Sequence, residues 1–220
     1  EKDFALELLT PKDAIQRAMR LGSPGRPVII ADTQDNPGAG GNGDTTGMLE
    51  ALIELKAQDA CLGLLIDPIA ADRAHEAGQG ASLEFELGAR SGLPGHHPVR
   101  RRFTVERLGD GRFTCTGPMF KGFRMQLGKM ALLRHEGVRV AIASIKCQAG
   151  DQEMFRHLGL EPAQQRLMVL KSSVHFRADF QPIAEAVILA TAPGPVPVDP
   201  ATLPFQHLRP TLRLRPMANA

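Results

Sequence analysis

Apolar positions in this chain fall into two kinds of run, and their order predicts a layered α/β fold. Continuous runs stand at 27–32 (PVIIAD), 60–68 (ACLGLLIDP) and 165–173 (QRLMVLKSS), with VILATA at 187–192 as a last strand. Short unbroken apolar runs bounded by turn residues are the mark of strands buried on both faces. Between them lie stretches with helical spacing. In 9–22 (LTPKDAIQRAMRLG) Thr10 is placed as N-cap, Pro11 as the first helical residue and Gly22 as the stop. A second helix carries Met48, Leu49, Leu52, Ile53 and Leu55, with Asp44 or Thr45 as its cap. A third, 69–78, ends at Gly78. The order β-α-β-α implies parallel pairing.

From residue 81 the pattern alternates instead. Leu83, Phe85 and Leu87 interleave with Glu84 and Glu86, as in a half-exposed strand. Two hairpins are predicted, one turning at Gly109-Asp110-Gly111 and one near Glu136-Gly137. A short helix is expected within 151–160 and partial helix within 173–186. The fold class is therefore α/β: a mixed sheet with a parallel βαβ start and inserted antiparallel hairpins. Residues 1–204 form the domain. The proline-rich end beyond Pro193 is extended, with 205–220 as a tail containing Pro and Arg.

Composition narrows this only a little. In 220 residues, 43% hydrophobic and 23% charged is ordinary for a globular chain, and a net charge of +2 selects no partner class. No apolar run approaches a membrane span, and the first residues do not read as a secretory leader. The chain starts at Glu1 rather than Met, as in a fragment or processed product. Cys61, Cys115 and Cys147 are odd in number and far apart, which points to reduced thiols in a cytoplasmic protein. Trp and Tyr are absent, and Arg100-Arg101-Arg102 reads as a solvated face, so no nucleic-acid partner is expected.

The chemistry concentrates in two places. The first is 32–44, where four glycines and three acids follow a buried strand. Free backbone N–H groups and a helix N-terminus there suit an anion, whereas Asp32, Asp35, Asp44 and the more distant Asp67 favour a cation or a substrate amine or amide. An ordinary ordered loop is an equal alternative. The stretch is neither a Walker A loop nor a dinucleotide fingerprint. The second place is Lys171-Ser172-Ser173 and His175, at the end of another buried strand. Ligands gather at the carboxyl ends of strands in open α/β sheets, so Asp32, Asp67, Lys171, Ser172 and Ser173 are candidates for one edge. Lys171 is expected to project outward there, with Asp35 mattering more for activity than for stability. The histidines form no metal-binding spacing, and no G-x-S-x-G elbow is present.

Together, PVIIADTQDNPGAGGNGDTTGMLEAL, MFRHLGLEP and VLKSSVHFRADFQPIA resemble the C-terminal domain of the microcystinase C (MlrC) family of zinc metallopeptidases, from about Pro27 to Pro204. That resemblance implies a zinc-dependent peptidase or amidohydrolase whose metal ligands lie in an N-terminal domain, with no metal held by this chain. It implies a substrate-cleft role for Asp35, Asn36, Gly38, Gly40, Asp44, Lys171, Ser172, Ser173 and His175, beside Pro37, Gly43, Phe176 and Arg177. Ala39 departs from the glycine common there. The implied partners are that N-terminal domain and a peptide or peptide-like substrate, with neither nucleic acid nor membrane. Two other readings are a stand-alone module binding a small anion or metabolite, and a structural domain that forms a homodimer through exposed strands and the tail.

Overall fold

The computed structural model describes residues 6–94 and 96–215. Eleven strands are β1 (Leu8–Leu9), β2 (Val28–Asp32), β3 (Ala60–Ile66), β4 (Ser82–Leu87), β5 (Val99–Gly109), β6 (Arg112–Thr114), β7 (Arg124–Gln126), β8 (Met130–His135), β9 (Val138–Ala143), β10 (Leu167–Leu170) and β11 (Ala186–Ala190). The helices are α1 (Pro11–Leu21), α2 (Gly47–Glu54), α3 (Pro68–Ala77), α4 (Glu153–Arg156) and α5 (Arg177–Phe180).

Nine strands form one mixed sheet in the order β1-β11-β2-β10-β3-β9-β8-β5-β4. The first six run parallel. Strands β8, β5 and β4 continue the sheet antiparallel. The parallel start is thus present, but β2 and β3 are not neighbours. Strand β10, read from a segment a hundred residues later, sits between them. Its four residues are all buried because both faces and both edges are covered.

Helices α1, α2 and α3 cover one face, where Ile15, Met48, Leu49, Leu52 and Ala71 meet Val28, Ile30, Leu62 and Val169. The other face is covered by Phe155, Leu158, Phe176 and Phe180, which pack on Ile29, Leu64, Met168 and Leu170. Alternate residues of each central strand serve opposite faces, as the period-2 pleat requires. The caps of α1 are as expected: the Thr10 side chain accepts from Asp13 N, and Gly22 N–H closes onto Ala18 O.

Two sequence expectations are corrected. Residues 99–117 do not form a hairpin at Gly109-Asp110-Gly111. Strand β5 pairs with β4 and β8, and β6 leaves the sheet to pair with β7 in a separate two-stranded ribbon. The Asp-Gly turn is real, but the chain changes partners through it. The hairpin at Glu136-Gly137 forms as expected. The second correction concerns the cap of α2. It is Thr46, with no side-chain cap bond, rather than Asp44 or Thr45. Among the described residues no helix is long and apolar enough to cross a membrane. Residues 194–215 are largely exposed and are pinned at their start by Val196 N to Gln34 O.

Candidate functional site

The parallel strands all deliver their ends to the same edge, so the segments after β2, β3, β9 and β10 meet there. Residues 33–45 leave β2 as two short 3-10 turns, Thr33–Asp35 and Pro37–Ala39. The Asn36 carboxamide caps the second turn by accepting from Gly38 N at 2.9 Å. Its other end donates to Ser173 Oγ at 3.0 Å, and Ser173 Oγ in turn donates to Thr33 O at 3.2 Å. The glycine-rich loop and the segment after β10 are therefore joined directly.

Beneath this junction lies a buried ionic cluster. Lys171 Nζ donates to Asp35 Oδ2 at 2.7 Å, to Asp32 Oδ2 at 3.0 Å and to Thr45 Oγ1 at 3.0 Å. Asp35 also accepts from Gly43 N, Thr45 N and Thr45 Oγ1, each at 2.8 Å. Asp32, Asp35 and Lys171 have no solvent exposure. This corrects the expectation that Lys171 projects outward, and it sets Asp35, expected to matter more for activity than for stability, in the buried interior. The apolar strand does bring Lys171 to the edge, but Asp32 at the end of β2 and Asp35 in the turn after it hold the ammonium inside the domain.

Charge in the cluster is uneven. Burial pushes the Asp32 carboxyl up, against the pull of Lys171, and its Oδ1 has no hydrogen-bond partner among the described residues. Burial also works to raise Asp35, but the Lys171 charge and hydrogen bond, with the N–H donors of Thr45 and Gly43, outweigh it and hold this carboxyl low. Burial disfavours the Lys171 cation, yet the two acids more than offset that and raise its pKa. The arrangement is a charged Lys171–Asp35 pair with Asp32 biased toward its neutral acid.

The other acids have structural tasks. Asp67 caps α3 through Ala70 N at 3.0 Å, accepts from Gly88 N at 2.8 Å and pairs with Arg90. Asp44 accepts from Ser91 N at 2.6 Å and Ser91 Oγ at 3.0 Å, tying the strap after β4 across the start of α2. With Thr46 Oγ1 donating to His97 O, that strap covers the helix N-terminus and weighs against an anion site there. Asp44→Ala is expected to cost about 1.5–3 kcal/mol, because the nearly buried carboxylate gives up its charge-assisted hydrogen bonds from Ser91 N and Ser91 Oγ. Urea melting would measure the loss, and amide exchange at Ser91 would rise with it.

The outward parts of the edge are the loop tip, Gly38 to Gly40, and His175, all exposed. Ser173 is half-buried; Ser172 and Phe176 are buried. The glycines serve the loop itself as much as any ligand. Gly43 has φ of +77° and a Cβ there would stand 2.6 Å from Ile66, whereas Gly40, at φ +97°, faces open space.

Sequence reading missed Gln148 and Lys146. Gln148 Oε1 accepts from His175 Nδ1 at 3.2 Å and stands 3.5 Å from Ser172 Oγ, and its side chain lies over Gly38. Lys146 Nζ reaches Gly40 O at 3.5 Å. Both follow β9. The signal was its parallel pairing with β3, which the hairpin pattern alone does not reveal. The three thiols are free, with Cys61 and Cys115 pushed up to about 12 mainly by burial.

An open-edged α/β domain with its polar loops collected at the carboxyl ends of parallel strands is a ligand-facing domain in form. The chain belongs to the MlrC C-terminus family, whose model matches residues 30–207. It is 31% identical over 162 residues to microcystinase C of a Sphingomonas species, a match covering 74% of this chain and 31% of that protein. The crystal structure of a presumed metallopeptidase from Mesorhizobium sp. BNC1 superposes with a TM-score of 0.80 at 24% identity, over all of this chain and 43% of that one. At that identity the likeness is one of fold. This chain thus spans less than half the length of either.

Among the described residues, no three His, Cys, Asp or Glu side chains gather as a metal site. Asp35 is engaged by Lys171 and backbone donors, Asp67 by the α3 cap and Asp44 by Ser91, while Asp32 is held by Lys171 through Oδ2 and offers Oδ1 alone. The donor set on this edge does not fit a zinc ion.

Proposed function

We propose that this domain is the non-metal wall of the substrate cleft in a zinc-dependent peptidase or amidohydrolase, with the metal held by an N-terminal domain of the same protein. The observation that carries the reading is the Asn36–Ser173 link. It joins the glycine-rich loop and the segment after β10 into one surface at the sheet's carboxyl edge. Family membership and the greater length of the relatives support the division of labour.

In this reading the site residues have two tiers. Asp35, Lys171, Asp44 and Ser172 are buried and hold the wall in shape. Gly38, Gly40, Ser173 and His175 face the cleft, and Asn36 sets their relative position. A peptide-like substrate meets exposed backbone at the loop tip, beside the Gln148 and Lys146 side chains. The wall orients the scissile group, and orientation alone lowers a barrier by several kcal/mol.

Asn36→Ala in the longer protein tests this. The link to Ser173 and the cap on Gly38 both go, and kcat/KM on a peptide substrate should fall at least about tenfold with bound metal unchanged by elemental analysis. Unaltered kcat/KM in a folded, metal-loaded variant would remove the wall from the cleft.

A further inference from the structure

The amino edge of the sheet, opposite the loops, holds a separate cavity of about 700 Å³. It opens where β3, β9 and β10 begin, and Asp59, Glu106, Arg107, Leu132, Leu160 and Gln165 are among its lining residues. The seven residues of β3 separate the two edges by about 20 Å. Nothing placed at the carboxyl edge reaches this cavity.

Three of its polar groups are unspent. Gln165 is 8% exposed, and its Oε1 is a buried acceptor with no donor among the described residues. Its Nε2 makes one long bond, 3.4 Å, to Glu161 O. A buried amide oxygen left without a donor is unfavourable, and an incoming N–H relieves it. Arg107 lies beside Gly159 with no carboxylate partner among the described residues. Asp59 is exposed at the rim and its side chain is likewise unpaired among them. The floor is apolar, with Val105, Leu132 and Leu160 nearly or fully buried.

An acceptor that needs an N–H, a free guanidinium and a free carboxylate over an apolar floor select a particular ligand. Polyanions are disfavoured: Glu106 already neutralises Arg139 at 2.8 Å, and Asp59 and Glu106 repel further negative charge. Sugars lack a stacking surface, since no aromatic residue lines the cavity. We propose that the cavity is a second binding site, for short peptides with free termini. Arg107 takes the carboxylate, Gln165 Oε1 accepts an amide N–H, Asp59 faces the ammonium, and one apolar side chain rests on Leu132 and Leu160. The volume lies within the range of small-ligand pockets. The proposal does not depend on the cleft reading, because the two surfaces share no residue.

The test is an NMR titration of the ¹⁵N-labelled chain with leucyl-glycine, with N-acetyl-leucyl-glycine and with leucyl-glycinamide. The dipeptide is expected to shift the Gly80 and Gly159 amides and the Gln165 side-chain NH₂ in a saturable way. Amidation of its carboxylate and the substitution Arg107→Ala should each weaken binding about tenfold, since each removes one charge-assisted contact. Arg107 is exposed, so that variant folds; Gln165→Met, which keeps volume, should also weaken binding. No shift at about 10 mM dipeptide would overturn the proposal, that being a bound of under about 3 kcal/mol in affinity. So would affinity unchanged by Arg107→Ala, or shifts confined to Gly38–Gly43 and His175. That last result assigns the peptide to the opposite edge and leaves the cleft reading standing.

Discussion

Lys171→Met is expected to destabilise the isolated chain by about 3–5 kcal/mol, the usual consequence of removing one partner from a buried ion pair. Two carboxylates, Asp32 and Asp35, would be left in a site without solvent. Against a total stability of about 5–15 kcal/mol, such a loss moves the denaturant midpoint far down or unfolds the chain outright. Asp35→Asn should cost nearly as much, because it abolishes the charge opposite Lys171 and puts an amide NH₂ toward donors at Gly43, Thr45 or Lys171. Asp32→Asn should cost less than Asp35→Asn, since burial pushes the Asp32 carboxyl up and its Oδ1 makes no hydrogen bond among the described residues. Urea denaturation of the three variants checks the ranking. Equal losses at Asp32 and Asp35 would mean that both acids are ionised.

The same asymmetry sets a pH signature. The folded-state pKa of Asp35 is depressed, so its contribution is present above the unfolded value, near 4, and is lost as pH falls through the folded value. Asp32 is raised, so its contribution is full below the unfolded value and is lost as pH rises through the folded one. Asp32→Asn should therefore gain on the parent as pH rises above the unfolded value, near 4, with Asp35-driven acid unfolding retained.

The largest effect on activity is expected at His175. In the longer protein, His175→Ala should lower kcat/KM about a hundredfold, the scale of a lost orienting contact. In the isolated chain it should change stability by no more than about 0.5 kcal/mol, because the ring is exposed and holds only Gln148. Nδ1–H donates to Gln148 Oε1, which leaves Nε2 bare and outward. Gln148→Leu frees that ring and should reproduce part of the loss. Full activity in a folded His175→Ala protein would make the imidazole a bystander.

The existence of the central strands was legible in the sequence, because doubly buried strands must be apolar without interruption. Thr10, Pro11 and Gly22 announced α1 for equally local reasons. Partner choice was not legible. A Gly-Asp-Gly turn encodes a change of direction but not which strands flank it, so β5 and β6 were read as a pair. Nor can periodicity tell that β10 enters between β2 and β3. The two segments of the edge were found as a place. The direction of Lys171 was missed because side-chain fate depends on charges 136 and 139 residues away. Asp44 looked like a cap from its position, but Ser91 is a stronger local partner, and nothing in 32–44 points to it.

The central position of β10 has a consequence for synthesis on the ribosome. Residues up to about 150 can emerge with β2 and β3 translated, yet these two strands have no edge in common and wait for the segment between them. Until Lys171 leaves the exit tunnel, Asp32 and Asp35 are two acids with no counter-charge and no reason to be buried. The nascent chain therefore keeps its glycine-rich loop hydrated and open until that strand arrives. The carboxyl edge closes only once β10 has emerged, when one short strand delivers both the missing backbone ladder and the missing cation. Chains halted before that point should be recognised by quality-control proteases as unfinished.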